Sequence, residues 1–212
     1  LDSSASVVSP CDGILGAHGV VEKGLVLQVK GMPYALEELL AEPRMAAKLE
    51  GYRYLTIRIT ASMYHRLHSP CDLTADHLSW MAGDCWNVNP PALQRVEKLF
   101  CKNHRAVLSC RNTAGEKVVI VPVAAVLVGA MRLHALQHLR DGNLLDQHLP
   151  SFSAHLKATP RYSKGQELGW FEHGSTVVML VPPHYALLDG LDSGSALRMG
   201  QGLLHTPSEQ TA

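Results

Sequence analysis

Apolar and polar residues alternate along much of this chain with the two-residue period of a β-strand. In the segment 55–60, Leu55, Ile57 and Ile59 alternate with threonine and arginine, which predicts a strand with one buried face. Turn-forming glycines and prolines separate comparable runs. Further strands are predicted at 14–16, 25–29, 73–82, 106–110, 118–123 and 165–171. The pattern therefore indicates a protein built mainly of β-strands.

Helical spacing is confined to short segments. Pro33 stands at a favourable first helical position, and the leucines that follow it are three and four residues apart, which predicts a helix over 33–40. A second helix is predicted over 92–100. We therefore expect an α+β fold that is mainly β, in which antiparallel sheets form a barrel- or sandwich-like body with a few short helices.

Two further segments are interpreted from their polar residues and glycines. Asn103, His104 and Arg105 precede a predicted strand, and we interpret them as a polar corner. After Pro182-Pro183 the glycines lack the spacing of a phosphate-binding loop, so the sequence predicts a flexible tail there.

Composition limits the classes of function. The chain has 212 residues, of which 46% are hydrophobic, which is enough for one buried core, and we expect a single domain over 1–212. Lysine plus arginine equal aspartate plus glutamate at 19 each, which argues against a nucleic-acid partner. The five cysteines are odd in number and contain no C-x-x-C pair, as expected for reduced thiols in a cytosolic compartment. The longest apolar stretch is too short to span a bilayer as a helix.

Gly174-Ser175 is the candidate for unusual chemistry. The motif precedes the apolar run 177–181, and in most proteins such a motif is a turn that enters a strand. However, a glycine removes side-chain bulk on the carbonyl side of the serine. The Ser175 hydroxyl could then reach the Gly174 carbonyl carbon if the fold supplies a base. The motif alone favours the turn.

Histidine pairs suggest a base or a metal site. His65 and His68 are three residues apart before Pro70, and they would share one side of a helical turn. Zinc needs three or four protein ligands, and no companion cluster lies nearby in the sequence, so we predict no metal site. Surface or capped histidines are the alternative. We interpret His134 and His138 as solvated.

Several short segments occur in a fixed order along almost the whole chain, over roughly 1–204, and together they resemble the bacterial, pyruvoyl-dependent phosphatidylserine decarboxylases. No single segment is specific, whereas the ordered set is. The segments are Ser9-Pro10-Cys11-Asp12-Gly13, Lys30-Gly31-x-x-Tyr34 with Leu39-Leu40, Tyr64-His65-Arg66-x-His68-x-Pro70, Asn103-x-Arg105, Val128-Gly129, Lys164-Gly165-Gln166-Glu167-x-Gly169-x-Phe171 and Gly174-Ser175-Thr176.

The resemblance implies a self-cleaving proenzyme. Asp12 would orient His68, and His68 would take the proton of Ser175. The serine oxygen would attack the Gly174 carbonyl to form an ester, whose elimination and hydrolysis would leave a pyruvoyl group at position 175. The two products, which would stay associated, are 1–174 (the β chain) and 175–212 (the α chain).

The resemblance also implies the second reaction and its partners. The pyruvoyl carbonyl would condense with the amine of phosphatidylserine and withdraw the electrons left when carbon dioxide departs. His65 would return a proton, and phosphatidylethanolamine would be released. We expect peripheral association with an anionic membrane surface, at the cytoplasmic face of the cell membrane, through the segments 32–40 or 139–150. A homo-oligomer is compatible with so apolar a chain.

The chain departs from the family pattern at four positions, and two alternative functions stay open. An acidic residue, a glutamate, a glycine, and a leucine or glycine are common in the family where this chain has, in order, Met63, His104, Ala124 and His173. One alternative is another pyruvoyl-dependent decarboxylase or a relative that is never processed. The other is a non-enzymatic β-barrel module of the biotinyl or lipoyl type, although the usual modifiable lysine motif is missing.

Overall fold

The computed structural model describes residues 1–125, 131–138, 150–156, 158–172 and 174–206. It confirms the mainly β, antiparallel architecture. The strands are β1 Val7–Val8, β2 Gly13–Val20, β3 Leu25–Val29, β4 Met32–Ala35, β5 Arg53–Ile59, β6 Arg66–His68, β7 Leu73–Met81, β8 Arg105–Asn112, β9 Lys117–Val123, β10 Met131–Leu133, β11 Phe152–His155, β12 Arg161–Tyr162, β13 Glu167–Phe171, β14 Ser175–Val181, β15 Ala186–Leu187, β16 Ala196–Leu197 and β17 Gly202–His205. The helices are α1 Leu36–Leu40, α2 Pro43–Ala47, α3 Pro90–Arg95 and α4 Leu99–Lys102, with a 3₁₀ turn at His134–His138.

One large sheet carries most of the strands. Its order is β11-β7-β8-β9-β14-β5-β2-β16, and β12 also pairs with β7. Strand β14 lies in the middle of this sheet, and all seven of its residues are buried. A strand covered on both faces needs no alternation, which explains the continuous apolar run at 177–181. Strand β5 beside it is also covered on both faces, so the predicted single buried face is wrong there: even Thr56 is buried.

The two faces of the large sheet pack against different layers. On one face, side chains such as Ile57 and Val177 pack in a cluster with residues of a three-stranded sheet, β10-β13-β6. On the other face, side chains such as Val178 pack in a second cluster with residues of the short helices, including Leu39 and Phe100. The described residues form a layered structure of several sheets and no closed barrel.

The strand register defines one end of the large sheet, which we call the Ser175 end. Arg105 is opposite Val123, Val123 is opposite Thr176, and Ser175 is opposite Ile59. Strand β2 also begins at this end, because its residue Ile14 is opposite Arg58. Asp12 directly precedes β2, so the register brings it to the same end as Ser175.

The predicted helices are shorter than expected. Residues 32–35 form strand β4, and only Leu36–Leu40 are helical. Proline is tolerated in an edge strand as well as in the first turn of a helix, so Pro33 does not distinguish the two structures. The leucines of α1 are completely buried, so the apolar side chains that were expected to contact a membrane pack in the core. The predicted helix 92–100 is interrupted between α3 and α4, where Lys98 has a φ of 54°. Segment 139–149, the other expected lipid contact, lies outside the described residues.

Residues 184–206 contain three short paired strands, so the prediction of a flexible tail is wrong for this part of the chain. Strand β16 pairs with β2, and β17 pairs with both β1 and β15. Leu203 and Leu204 of β17 are buried in the core. The glycines of this segment form the turns between short strands, since three of them have positive φ: Gly190, Gly194 and Gly200.

Candidate active site

Ser175 is the first residue of the central strand β14 and is completely buried. Its hydroxyl has no hydrogen-bond partner among the described residues. A buried hydroxyl without a partner is costly, so it is a natural candidate for a functional group. Gly174 lies close against the neighbouring strand: a Cβ added there would be 3.2 Å from the carbonyl oxygen of Ile59. His173, the unusual neighbour of this pair, lies outside the described residues.

His68 is buried at the end of β6, and both of its ring nitrogens have partners. Nδ1 is 2.9 Å from the carbonyl oxygen of Gly165, and Nε2 is 3.0 Å from the Tyr64 hydroxyl. A carbonyl only accepts, so Nδ1 carries the proton and Nε2 keeps the lone pair that a general base needs. The Tyr64 hydroxyl donates to that lone pair, and its ring stacks on the imidazole at a centroid distance of 5.7 Å.

Asp12 contacts the C-terminal segment rather than an imidazole. Its carboxylate accepts a hydrogen bond of 2.8 Å from the Met199 amide, with Arg198 3.5 Å away. The side chain is only 13% exposed. The segment that precedes Asp12 is linked to His68 through the backbone, because the His68 amide donates to the Pro10 carbonyl at 2.7 Å. Asp12, His68 and Ser175 are thus not joined by hydrogen bonds in this structure.

His65 does not lie on a helical turn with His68, contrary to the prediction. Residues 66–68 are extended because they pair with β13, and residues three apart in an extended chain do not share a side. The His65 carbonyl accepts a hydrogen bond of 2.9 Å from the Phe171 amide. Phe171 is four residues before Ser175, so this bond ties the His65 segment to the approach of the central strand.

The sequence interpretation missed an ion cluster beside His68. Glu167, opposite His68 in the register, accepts hydrogen bonds from Arg66 at 2.7 Å and His134 at 2.9 Å. Partial burial tends to raise the pKa of Glu167, but these two hydrogen bonds and the nearby positive charges outweigh it and lower the pKa below its usual value. His134 is therefore paired and not merely solvated. The side chain of His138 lies outside the described residues.

The predicted polar corner at 103–105 is wrong, because all three residues are buried. The Asn103 amide nitrogen donates to the backbone carbonyls of Trp86 and Ala124, each at 2.8 Å. Arg105 donates to backbone carbonyls that include those of Leu39 and Glu38. The side chains of Asn103 and Arg105 thus bond to backbone carbonyls that are distant in the sequence, whereas the local sequence suggested that they bond to solvent.

The part of the chain that the structure describes contains no group of three or more His, Cys, Asp or Glu side chains suited to a metal ion. In the same residues, no helix has the length and apolar character needed to cross a bilayer. None of the five cysteines forms a disulfide bond.

Comparison with known proteins decides the family. A family model described as phosphatidylserine decarboxylase matches residues 1–205. The chain belongs to the phosphatidylserine decarboxylase family. It is therefore a carboxy-lyase, as the resemblance implied.

Curated relatives named phosphatidylserine decarboxylase proenzyme align with most of the chain. They include proteins of Brevibacillus brevis (31% identical over 203 residues), Pseudomonas putida strain F1 (33% over 208) and Anaeromyxobacter sp. strain K (35% over 201). The alignments cover 93%, 95% and 93% of this chain and 70%, 70% and 69% of those relatives. Membership of the phosphatidylserine decarboxylase family disfavours the alternative of a non-enzymatic biotinyl- or lipoyl-like module.

Proposed function

We propose that this carboxy-lyase converts phosphatidylserine to phosphatidylethanolamine, after cutting its own chain between Gly174 and Ser175. The observation that carries the proposal is the buried Ser175 hydroxyl, which has no hydrogen-bond partner in the part of the chain that the structure describes and which directly follows a glycine carbonyl. The names of the aligned relatives, which include both the substrate and the word proenzyme, support it.

The cleavage proceeds through an ester. The Ser175 oxygen attacks the Gly174 carbonyl carbon, the hydroxyl proton passes to an imidazole, and the nitrogen of residue 175 leaves with a proton. Loss of the Cα proton of residue 175 then breaks the Cβ–O bond. This step releases segment 1–174 as a carboxylate and leaves a dehydroalanine, which takes up water and loses ammonia to become a pyruvoyl group.

His68 is the base in this proposal. The Gly165 carbonyl fixes the tautomer that keeps the lone pair on Nε2. Tyr64 now occupies that lone pair, so its hydroxyl must turn away before Nε2 can accept the Ser175 proton. Asp12 supplies the negative charge that stabilises the imidazolium. To do so, its carboxylate leaves the Met199 amide and replaces the Gly165 carbonyl as the acceptor for the Nδ1 proton of His68.

The two products stay associated because the segment after the cut is woven into the sheet. Strand β14 is flanked by β5 and β9, while β16 pairs with β2 and β17 pairs with β1. Five apolar residues of β14, at 177–181, are completely buried. At about 1.5–3 kcal/mol for each buried apolar side chain, this strand alone contributes on the order of 10 kcal/mol.

The pyruvoyl group fits position 175, since the orphaned hydroxyl there is the atom from which it is made. When formed, the group supplies a carbonyl that withdraws the electrons released as carbon dioxide leaves an amine substrate. His65 donates the proton that replaces the lost carboxylate, and its segment is tied to Phe171 near the cut.

The substrate is a lipid, so we assign the enzyme to the cytoplasmic face of the cell membrane as a peripheral protein. Flotation with anionic vesicles tests this location, which would be refuted by failure to bind.

Mass spectrometry of the denatured protein tests the cleavage. We expect two chains, 1–174 and 175–212, the smaller with a carbonyl in place of its amino group. Ser175→Ala should give one intact chain. A single intact chain from the unaltered protein would contradict the proposal.

Two further variants test the division of roles. His68→Ala should stay uncleaved because the base is lost. His65→Ala should be cleaved yet release no carbon dioxide from phosphatidylserine. An uncleaved His65→Ala protein would show that His65 takes part in the first reaction.

A further inference from the structure

Two buried polar groups near the Ser175 end have no role in the reactions above. His104 is 7% exposed and Trp80 is 1% exposed, and neither His104 Nε2 nor Trp80 Nε1 has a hydrogen-bond partner among the described residues. Their rings meet edge to face at a centroid distance of 4.8 Å. Two orphaned ring nitrogens side by side mark a place where an oxygen atom of another molecule would be stabilised.

The register aligns His104 with the reacting serine. The Ala124 amide donates to the His104 carbonyl at 2.8 Å, and Ala124 is opposite Ser175 one strand further along, since Val123 is opposite Thr176. His104, Ala124 and Ser175 therefore form a row across three strands. Side chains in such a row lie on one face of the sheet, here the face to which Trp80 and Val177 contribute.

The chemistry of this place favours an uncharged acceptor. Burial, followed by the charge of Arg105, lowers the pKa of His104, so its imidazole is neutral at physiological pH. The Arg105 guanidinium itself donates to backbone carbonyls that include those of Leu39 and Glu38, which lie on the helix side of the sheet. Among the described residues, no hydrogen bond or ion pair joins the His104 ring to a cationic side chain. A phosphate buried there would therefore lack a counter-charge, which is costly, whereas a carbonyl oxygen needs only N–H donors.

We propose that His104 and Trp80 bind an ester carbonyl oxygen of the diacylglycerol part of phosphatidylserine, while the serine headgroup reaches position 175. This inference rests on the proposed function and names the part of the substrate that the row recognises.

The distances agree with this assignment. Two strand spacings separate His104 from Ser175, or about 10 Å. The α-carbon of the serine headgroup is joined to the nearest ester carbonyl oxygen by about nine bonds, as many as three residues of extended chain, which also span about 10 Å. One extended substrate molecule can therefore contact both positions.

Ether-linked lipids provide the test, because dialkyl phosphatidylserine keeps the headgroup and phosphate but lacks the ester carbonyls. With the self-cleaved protein in mixed micelles, we expect kcat/KM to be about tenfold higher for the diacyl lipid than for the dialkyl lipid. Trp80→Phe removes one donor but keeps an aromatic ring at this position, and it should reduce this ratio severalfold. His104→Leu should bring the ratio close to one, while self-cleavage, which needs no lipid, continues.

The possible outcomes separate the two proposals. If the unaltered enzyme decarboxylates neither lipid, the proposed function fails and this inference fails with it. If the unaltered enzyme shows no preference, or if the variants slow both lipids equally and keep the preference, the inference alone is overturned, and the orphaned nitrogens belong to an internal water site. If His104→Leu fails to fold, Trp80→Phe alone gives the comparison, because it also removes one of the two donors.

Discussion

Tyr64 hydrogen-bonds to the proposed base, so the loss of its hydroxyl is predicted to increase the rate of self-cleavage and not to decrease it. The Tyr64 hydroxyl donates to Nε2 of His68 at 3.0 Å, the atom that must accept the Ser175 proton. Tyr64→Phe removes this hydrogen bond but keeps the ring that stacks on the imidazole at 5.7 Å. The substitution should therefore speed self-cleavage.

The size of the effect follows from the bond that must be broken. A neutral hydrogen bond contributes about 1 kcal/mol net, and the Tyr64 side chain is partly exposed, with the residue 43% accessible, so water competes for it. Removing about 1 kcal/mol from the barrier corresponds to roughly a fivefold increase in the rate. Tyr64→Leu also removes the stacked ring, so the imidazole loses its orientation and cleavage should be slower than in Tyr64→Phe.

Cell-free synthesis provides the assay, because the chain can be followed from the moment it is made. A short pulse of labelled amino acid, followed by a time course on denaturing gels, gives the rate constant for conversion of the intact chain to its products. Ser175→Ala supplies the uncleaved baseline. A Tyr64→Phe protein that folds normally but is cleaved tenfold more slowly would refute the reasoning, since the hydroxyl would then assist the base.

Two predictions concern stability. Gly169→Ala should lower the free energy of unfolding by about 1–3 kcal/mol in urea denaturation, because the new Cβ would lie 1.9 Å from the Arg132 carbonyl oxygen; Gly115→Ala, which meets open space, should cost about 1 kcal/mol from its positive φ. Burial and then the neighbouring His155 lower the pKa of His77 in the folded protein, so the unfolded state binds more protons and stability should fall as the pH drops below about 6.5. In His77→Gln the loss of urea midpoint between pH 7.5 and 5 should be smaller, and an unchanged loss would contradict this assignment.

The sequence predicted strands well because the alternation of side chains directly reports a sheet surface. It failed where proline fits two structures, as at Pro33, and where short strands are joined by glycine turns, as in the segment after residue 183. The sequence motifs also identified residues of the candidate site, but they did not indicate which residues those side chains contact. The bond from Met199 to Asp12 joins residues 187 apart, and the one from His68 to Gly165 joins residues 97 apart, so no local pattern reports them.

Burial of polar groups was the least predictable feature. The local sequence predicts that Asn103, His104 and Arg105 are solvated. It gives no sign of their actual partners, which are backbone carbonyls and a ring from distant segments. The available signal was the histidine at a position where the family commonly has glutamate. A change of that kind alters charge and hydrogen bonding together, and it indicates that the surroundings of position 104 differ from those in most of the family.

The position of the proposed cut at the start of a central strand has a consequence for folding. Before the cut, β14 is connected to the preceding strands by the chain, and folding is a unimolecular process. After the cut, the same strand must be recaptured by a separate molecule, so refolding becomes bimolecular and depends on protein concentration. Processing would thus convert a protein that can refold after every unfolding event into one whose native state, once lost in dilute solution, is not readily regained.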